Sequence, residues 1–221
     1  MTDAQQTVRI AVVTGGHCYN VPPFHDLFRS LEDILADVQH LDDYCSSSTE
    51  VRRSYDAIVF YIMMTATPSD EGLPWYAGKQ LTALTELGEL SQGIVLLHHA
   101  ILAYPDWPKW QEIVGFDPQF SGYRIGETIR TEIADPDHPI TRGVEPWEMI
   151  DETYQMMNAG EGCHVLLTCD HPRNAHTLAW TRQYRGARVF CYQSGHDDRT
   201  WVNPSFREVL RRGILWTAGR I

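Results

Sequence analysis

The sequence predicts an α/β fold with a mainly parallel, doubly wound sheet, and three observations carry that prediction. "VRIAVVT" (8–14), "YDAIVFYI" (55–62) and "GIVLLHH" (93–99) are short apolar runs of the kind that become strands buried on both faces. The segments between them carry apolar residues at helical spacing. Buried strands alternating with amphipathic helices require right-handed crossovers, hence parallel pairing with helices on both sides.

The elements follow in order. After 8–14 the chain turns at Gly15-Gly16, and "PFHDLFRSLEDIL" (23–35) places Phe24, Leu27, Phe28, Leu31, Ile34 and Leu35 on one stripe, which reads as a helix. After 55–62, "SDEGLPWYAGKQLTALTELGEL" (69–90) offers acidic N-terminal residues and leucines at spacing three, a second helix. The second half changes character. "SGYRIGETIRTEIADPDHPITRG", "WEMIDETYQM", "CHVLLTCD", "HTLAWTRQ" and "ARVFCYQ" are short strand candidates set apart by turn signals, expected to add antiparallel strands to the main sheet. "NPSFREVLRRGILWTAG" closes the chain as a helix with Asn203 at the N-cap and Pro204 in the first turn. No repeat or linker interrupts the 221 residues, so 1–221 reads as one domain with 1–7 as a frayed tail.

Composition narrows the function. Twenty-nine acidic against eighteen basic residues give a net charge of −11, a field that repels phosphate backbones and excludes nucleic acid as a partner. No apolar run approaches the roughly 20 residues that cross a bilayer, so no membrane is expected. The first residues lack a secretory pattern, and the five scattered cysteines form no C-x-x-C pair, which fits reduced thiols in the cytoplasm. A homodimer is the expected assembly for a small α/β domain.

The chemistry gathers at strand ends. In an open parallel sheet, ligands bind beyond the carboxyl ends of the strands. His17 follows the first strand in "TGGH", His98 and His99 end the strand at 93, and His196 follows the strand candidate "ARVFCYQ". Glu152 and Tyr154 in "DETY" come from an added strand. Independent strands thus deliver imidazoles and a carboxylate to one rim, which makes either a metal site or an acid–base site. His40, His138, His164, His171 and His176 read as ordinary loop residues bonded to backbone, and His25 as a rim or surface residue. "TGGH" lacks the spacing of a phosphate loop, so no nucleotide cofactor is expected. No cysteine or serine stands on a nucleophile elbow motif, Cys18 coming closest. "YPDWPKW" (104–110), beside the histidine pair, reads as an aromatic wall for a sugar.

Taken together, "TGGH", "LLHHA", "SGYR", "DHPITRG", "DETY", the late "GH" and the closing helix resemble the ThuA-like family, named for trehalose utilisation, in the right order over nearly the whole chain. The resemblance implies a flavodoxin-like, class I glutamine amidotransferase-like three-layer sandwich. In amidotransferases the elbow after the central strand carries a cysteine; the corresponding position here is His98, and imidazole cannot form the glutamyl thioester. The resemblance therefore implies the fold without amidotransfer. It further implies sugar catabolism on a keto-sugar or glycoside, as a lyase, isomerase or hydrolase. In that reading His98, His196 and Glu152 are catalytic, Tyr123, Arg124 and Tyr154 contact substrate, and His17 and His99 are candidates to hold a divalent metal, zinc or manganese. The alternative is a non-catalytic carbohydrate- or metal-binding subunit that partners a sugar dehydrogenase.

Overall fold

A computed structural model describes residues 7–221; residues 1–6 of the expected tail lie outside the described residues. Nine strands form one sheet in the order β2-β1-β3-β4-β9-β8-β7-β5-β6. The first five are parallel: β2 (Ile34–His40), β1 (Val8–Gly15), β3 (Ala57–Ile62), β4 (Gly93–Leu97) and β9 (Ala187–Tyr192). The antiparallel part adds β8 (Thr177–Tyr184), β7 (His164–Thr168), β5 (Gly122–Ile133) and β6 (Trp147–Gln155). The strand β9, expected among the antiparallel additions, is the seam: it runs antiparallel to β8 and parallel to β4.

Strand alternation explains the two cores. Val8, Ile10, Val12, Val59 and Leu97 face one layer, with α1 (Val21–Arg29) and α7 (Pro204–Thr217) packed over it. Ala11, Val13, Ile58, Phe60 and Leu96 face the other, beneath α2 (Leu41–Ser46), α4 (Gln80–Thr85) and α5 (Pro108–Val114). The helix α7 starts where expected, because the Asn203 side chain accepts from the backbone N–H groups of Ser205 and Phe206.

Two helices differ from expectation. The segment 23–35 is a helix only to Arg29, after which Asp33 adopts a left-handed φ of 63° and Ile34 opens the edge strand β2. Parallel pairing with β1, from Val8↔Ile34 to Thr14↔His40, outweighs the helical stripe that Ile34 and Leu35 continue. The segment 69–90 keeps only α4. Gly78, at φ 66°, approaches the Cys45 backbone so closely that a Cβ would lie 2.5 Å away, and no helix passes through such a contact. Shorter helices complete the chain: α3 (Thr49–Arg53) and α6 (Asp198–Trp201). The aromatic run 104–110 is mostly core, with Tyr104 and Trp110 fully buried and Trp107 nearly so.

Candidate active site

Four strands end at one rim, and the rim is where the histidines meet. Beyond β1, Gly16 allows the chain to pass against β3's exit. Its φ is 72°, and a Cβ there would lie 2.4 Å from the Met63 carbonyl oxygen. The turn places His17 over the cleft. Gly16→Ala is expected to cost about 2–4 kcal/mol, through backbone clash and left-handed strain together, and to lower Tm by roughly 5–15 °C in thermal unfolding.

Beyond β4 the backbone turns sharply into a 3₁₀ turn, His98–Leu102, and His98 itself is left-handed at φ 57°. A non-glycine residue there costs about 1–2 kcal/mol, so the surroundings hold it. The Nδ1–H of His98 donates to the Gln193 carbonyl at 2.7 Å, which turns Nε2 toward the cluster. Three groups surround that nitrogen: the Tyr154 hydroxyl at 2.8 Å, Glu152 Oε2 at 3.1 Å and His196 Nδ1 at 3.3 Å. His196 Nδ1 lies 3.3 Å from the same carboxylate oxygen. A carboxylate oxygen and two ring nitrogens at such separations require positive charge among them, carried by protons or by a cation.

The titration directions agree. Burial alone would raise the Glu152 carboxyl, but hydrogen bonds from His196 and His98 outweigh it and hold the group well below the usual carboxylate range. His196 moves up because of its bond to Glu152.

The loop bearing His196 is clamped on both sides. The buried Asp151 carboxylate accepts the backbone N–H groups of Gly195 and His196 at 2.9 and 3.0 Å. The Tyr61 hydroxyl donates to the His196 carbonyl at 3.0 Å, and Trp201 Nε1 donates to the Gly195 carbonyl at 2.8 Å. Behind β6, Asn174 and Gln193 pair through their amides at 3.0 Å, and Asn174 Oδ1 accepts the Tyr154 N–H at 2.6 Å.

His99 and His17 stand beside this cluster, ring centroids 4.5 Å apart. Their Nδ1–H groups donate to Ile62 and Cys18 carbonyls at 2.9 and 2.7 Å. Each therefore keeps Nε2 unprotonated when neutral, and the buried Nε2 of His99 has no hydrogen-bond partner. Burial, reinforced by the neighbouring His98 and His17, pushes His99 down to about 2. Burial also lowers His17.

The cleft has a volume of about 260 Å³ and is lined by His17, His99, Glu152 and His196 at one side and by Met63, Leu102, Phe120, Tyr123, Ile125 and Tyr154 at the other. Tyr123 and Ile125 share the strand face of their partners Tyr154 and Glu152. Of the sequence-predicted site residues all but two line the cleft: His98 is fully buried in contact with Glu152 and His196, and the exposed Arg124 alternates onto the opposite strand face. His25 and His40 border another depression, which shares His17 with the cleft. The remaining histidines make local bonds: His40 caps α2, His138 accepts the Ile140 N–H, His164 meets Asp135, His171 meets Glu127 and His176 meets the Cys169 carbonyl. No cysteine lines the cleft among the described residues. Sequence reading missed Asp151, Tyr61, Gln193 and Asn174. Of these only Asp151 leaves a trace, an acidic residue within an otherwise strand-like "WEMIDETY".

Comparison with known proteins follows the same lines. The family model described as ThuA, trehalose utilisation, matches residues 10–217. Among curated proteins no sequence match reaches significance. A ThuA-like protein from Parabacteroides merdae superposes with a TM-score of 0.73 at 18% identity, covering 98% of this chain and 92% of that one. A chain described as part of a GMP synthase, from Thermoplasma acidophilum, gives 0.59 at 12% identity over 97% and 96%. A β-galactosidase from Bacillus circulans gives 0.62 at 12% over 99% of this chain and 32% of the larger one. At these identities the likeness extends to the fold, the amidotransferase-like α/β sandwich, and not to activity.

Proposed function

Because the chain belongs to the ThuA (trehalose utilisation) family, we propose that it is an enzyme of sugar catabolism, located in the cytoplasm, acting on a keto-sugar or glycoside at the histidine cleft. Family membership supports a role connected with trehalose utilisation; the chemistry is our reading of the site.

One observation carries that reading. His98 Nε2, Glu152 Oε2 and His196 Nδ1 form a triangle with edges of 3.1, 3.3 and 3.3 Å. The edge of a tetrahedron around an ion with bonds of about 2.0–2.1 Å is about 3.3–3.4 Å, close to these separations, which supports the metal reading. Two imidazoles and a carboxylate suit zinc or manganese, and the Nδ1–H of His98 is fixed on a carbonyl, as it is in ligating histidines. A bound divalent ion would polarise a substrate carbonyl or hydroxyl oxygen. In this grouping His98, Glu152 and His196 would hold the ion, while His17 and His99, first expected to be the metal pair, stand beside them.

The protein's own groups supply the rest. His17, with Nε2 unprotonated at the cleft mouth, accepts a proton from a carbon or hydroxyl of the sugar. Tyr154, whose phenol burial holds well above its ordinary value, stays protonated and donates within the cluster. His99 stays neutral and offers its unpartnered Nε2 to a sugar hydroxyl. Tyr123 and Phe120 wall the ring. The cysteine-dependent hydrolysis of glutamine has no carrier at the elbow, where His98 stands.

Metal analysis of the purified protein tests this reading. About one equivalent of zinc or manganese per chain is expected, lost on dialysis against a chelator together with turnover of a 3-keto-glucoside and restored by the ion. Absence of stoichiometric metal after supplementation, with turnover intact, would overturn the metal reading.

A further inference from the structure

A second cavity adjoins the histidine cleft. It measures about 420 Å³ and shares Met63, Leu102 and Phe120 with the cleft. Its remaining walls come from the 3₁₀ turn, α5 and the chain before β5, through Ile101, Ala103, Pro105, Trp110, Val114 and Pro118. Taken together the two volumes would make a small-molecule site of ordinary size.

The two halves differ in chemistry. The cleft presents three imidazoles, His17, His99 and His196, and the Glu152 carboxylate, groups able to bond hydroxyls. In the second cavity three polar side chains already bond to the protein, while the exposed Thr65 and Gln119 stand at the edge of an otherwise apolar floor. Trp110 Nε1 donates to the Ala100 carbonyl at 2.8 Å, Gln111 Nε2 donates to the Pro105 carbonyl at 2.9 Å, and Asp117 accepts the Gln119 N–H at 3.1 Å. A second sugar ring placed there would exchange hydration for unsatisfied hydroxyls, each costing about 1–3 kcal/mol. An apolar ring would displace water at no such cost.

We propose that the substrate is a glycoside with an apolar, ring-shaped aglycone, the sugar lying at the histidines and the aglycone in the Trp110–Phe120 cavity. The inference rests on the sugar-site reading above and adds the substrate class. It also gives Phe120 a role: exposed at 39% and shared by both cavities, it stands at the joint between sugar and aglycone.

Calorimetry with 4-nitrophenyl glucoside, methyl glucoside, each as both anomers, and trehalose tests it. The aryl glucoside is expected to bind at least about tenfold more tightly than the methyl glucoside, since burying a phenyl ring removes roughly 100 Å² of apolar surface from water. Trehalose is expected to match the methyl compound. Thr65→Trp, filling the cavity from an exposed position, and Gln111→Trp, filling it from α5, are each expected to erase the aryl advantage and leave methyl glucoside binding as it was. Equal affinities in the wild type, an advantage that survives both variants, or trehalose binding as tight as the aryl glucoside would overturn the aglycone assignment alone. If methyl glucoside fails to bind and His98→Ala changes nothing for any ligand, the sugar-site reading falls, and the aglycone assignment with it.

Discussion

Glu152→Gln is expected to lower turnover of a 3-keto-glucoside by about 10²–10⁴-fold while leaving the circular dichroism of the protein unchanged. The substitution preserves shape and removes charge. Oε2 of Glu152 touches both His98 and His196 at 3.1 and 3.3 Å, so the carboxylate is the only anion within the cluster's triangle. Glutamine offers one weaker acceptor and a pair of donors that face ring nitrogens. Metal content is expected to fall in the same variant, because a neutral amide replaces an anionic ligand. A variant that keeps both full turnover and a full equivalent of metal would remove Glu152 from the site.

Asp151→Ala is expected to cost about 3–5 kcal/mol and roughly 6–20 °C of Tm. The carboxylate is 1% exposed and accepts two backbone N–H groups, both on the loop that carries His196. Truncation strands both donors in a buried place. Asp151→Asn keeps one acceptor and is expected to lose about half as much. Asp151 touches no substrate, so its effect on catalysis passes through the position of His196. In Asp151→Asn, kcat is expected to fall more than KM rises, and a loss confined to stability would show that the loop holds its shape without the carboxylate.

Much of this site was legible because histidines at strand ends are rare enough to be noticed, and because the parallel sheet decides where strand ends go. His17, His98 and His196 come together since β1, β4 and β9 run the same way. Elsewhere local pattern misled. Ile34 and Leu35 continue the helical stripe of α1, and only pairing with β1 tells that they are an edge strand. Arg124 sits in the same tetrapeptide as Tyr123, yet strand alternation sends neighbours to opposite faces, a fact that adjacency in sequence conceals. The grouping of ligands was equally hidden. Which histidines meet a carboxylate and which meet each other depends on loop clamps by Asp151 and Tyr61, groups with no motif of their own. The aglycone cavity has no sequence signature, because its apolar floor is assembled only on folding, from the 3₁₀ turn, α5 and the chain before β5.

The hairpin of β5 and β6 supplies Glu152, Tyr154 and Tyr123 from the far edge of the sheet. Its ladder to β7 pairs only Glu132 and Ile133. Beyond that ladder, Ile129, Trp147 and Met149 pack into the core, and further bonds join the hairpin at the rim: Asp151 to the His196 loop, Tyr154 to Asn174, and Thr200 to the Ile150 carbonyl. A ligand that bridges His98 and Glu152 therefore ties the hairpin to the parallel half of the sheet, and by reciprocity a well-docked hairpin raises affinity for that ligand. Occupancy and edge docking become one equilibrium, with the hairpin acting as a latch that the bound molecule closes on itself.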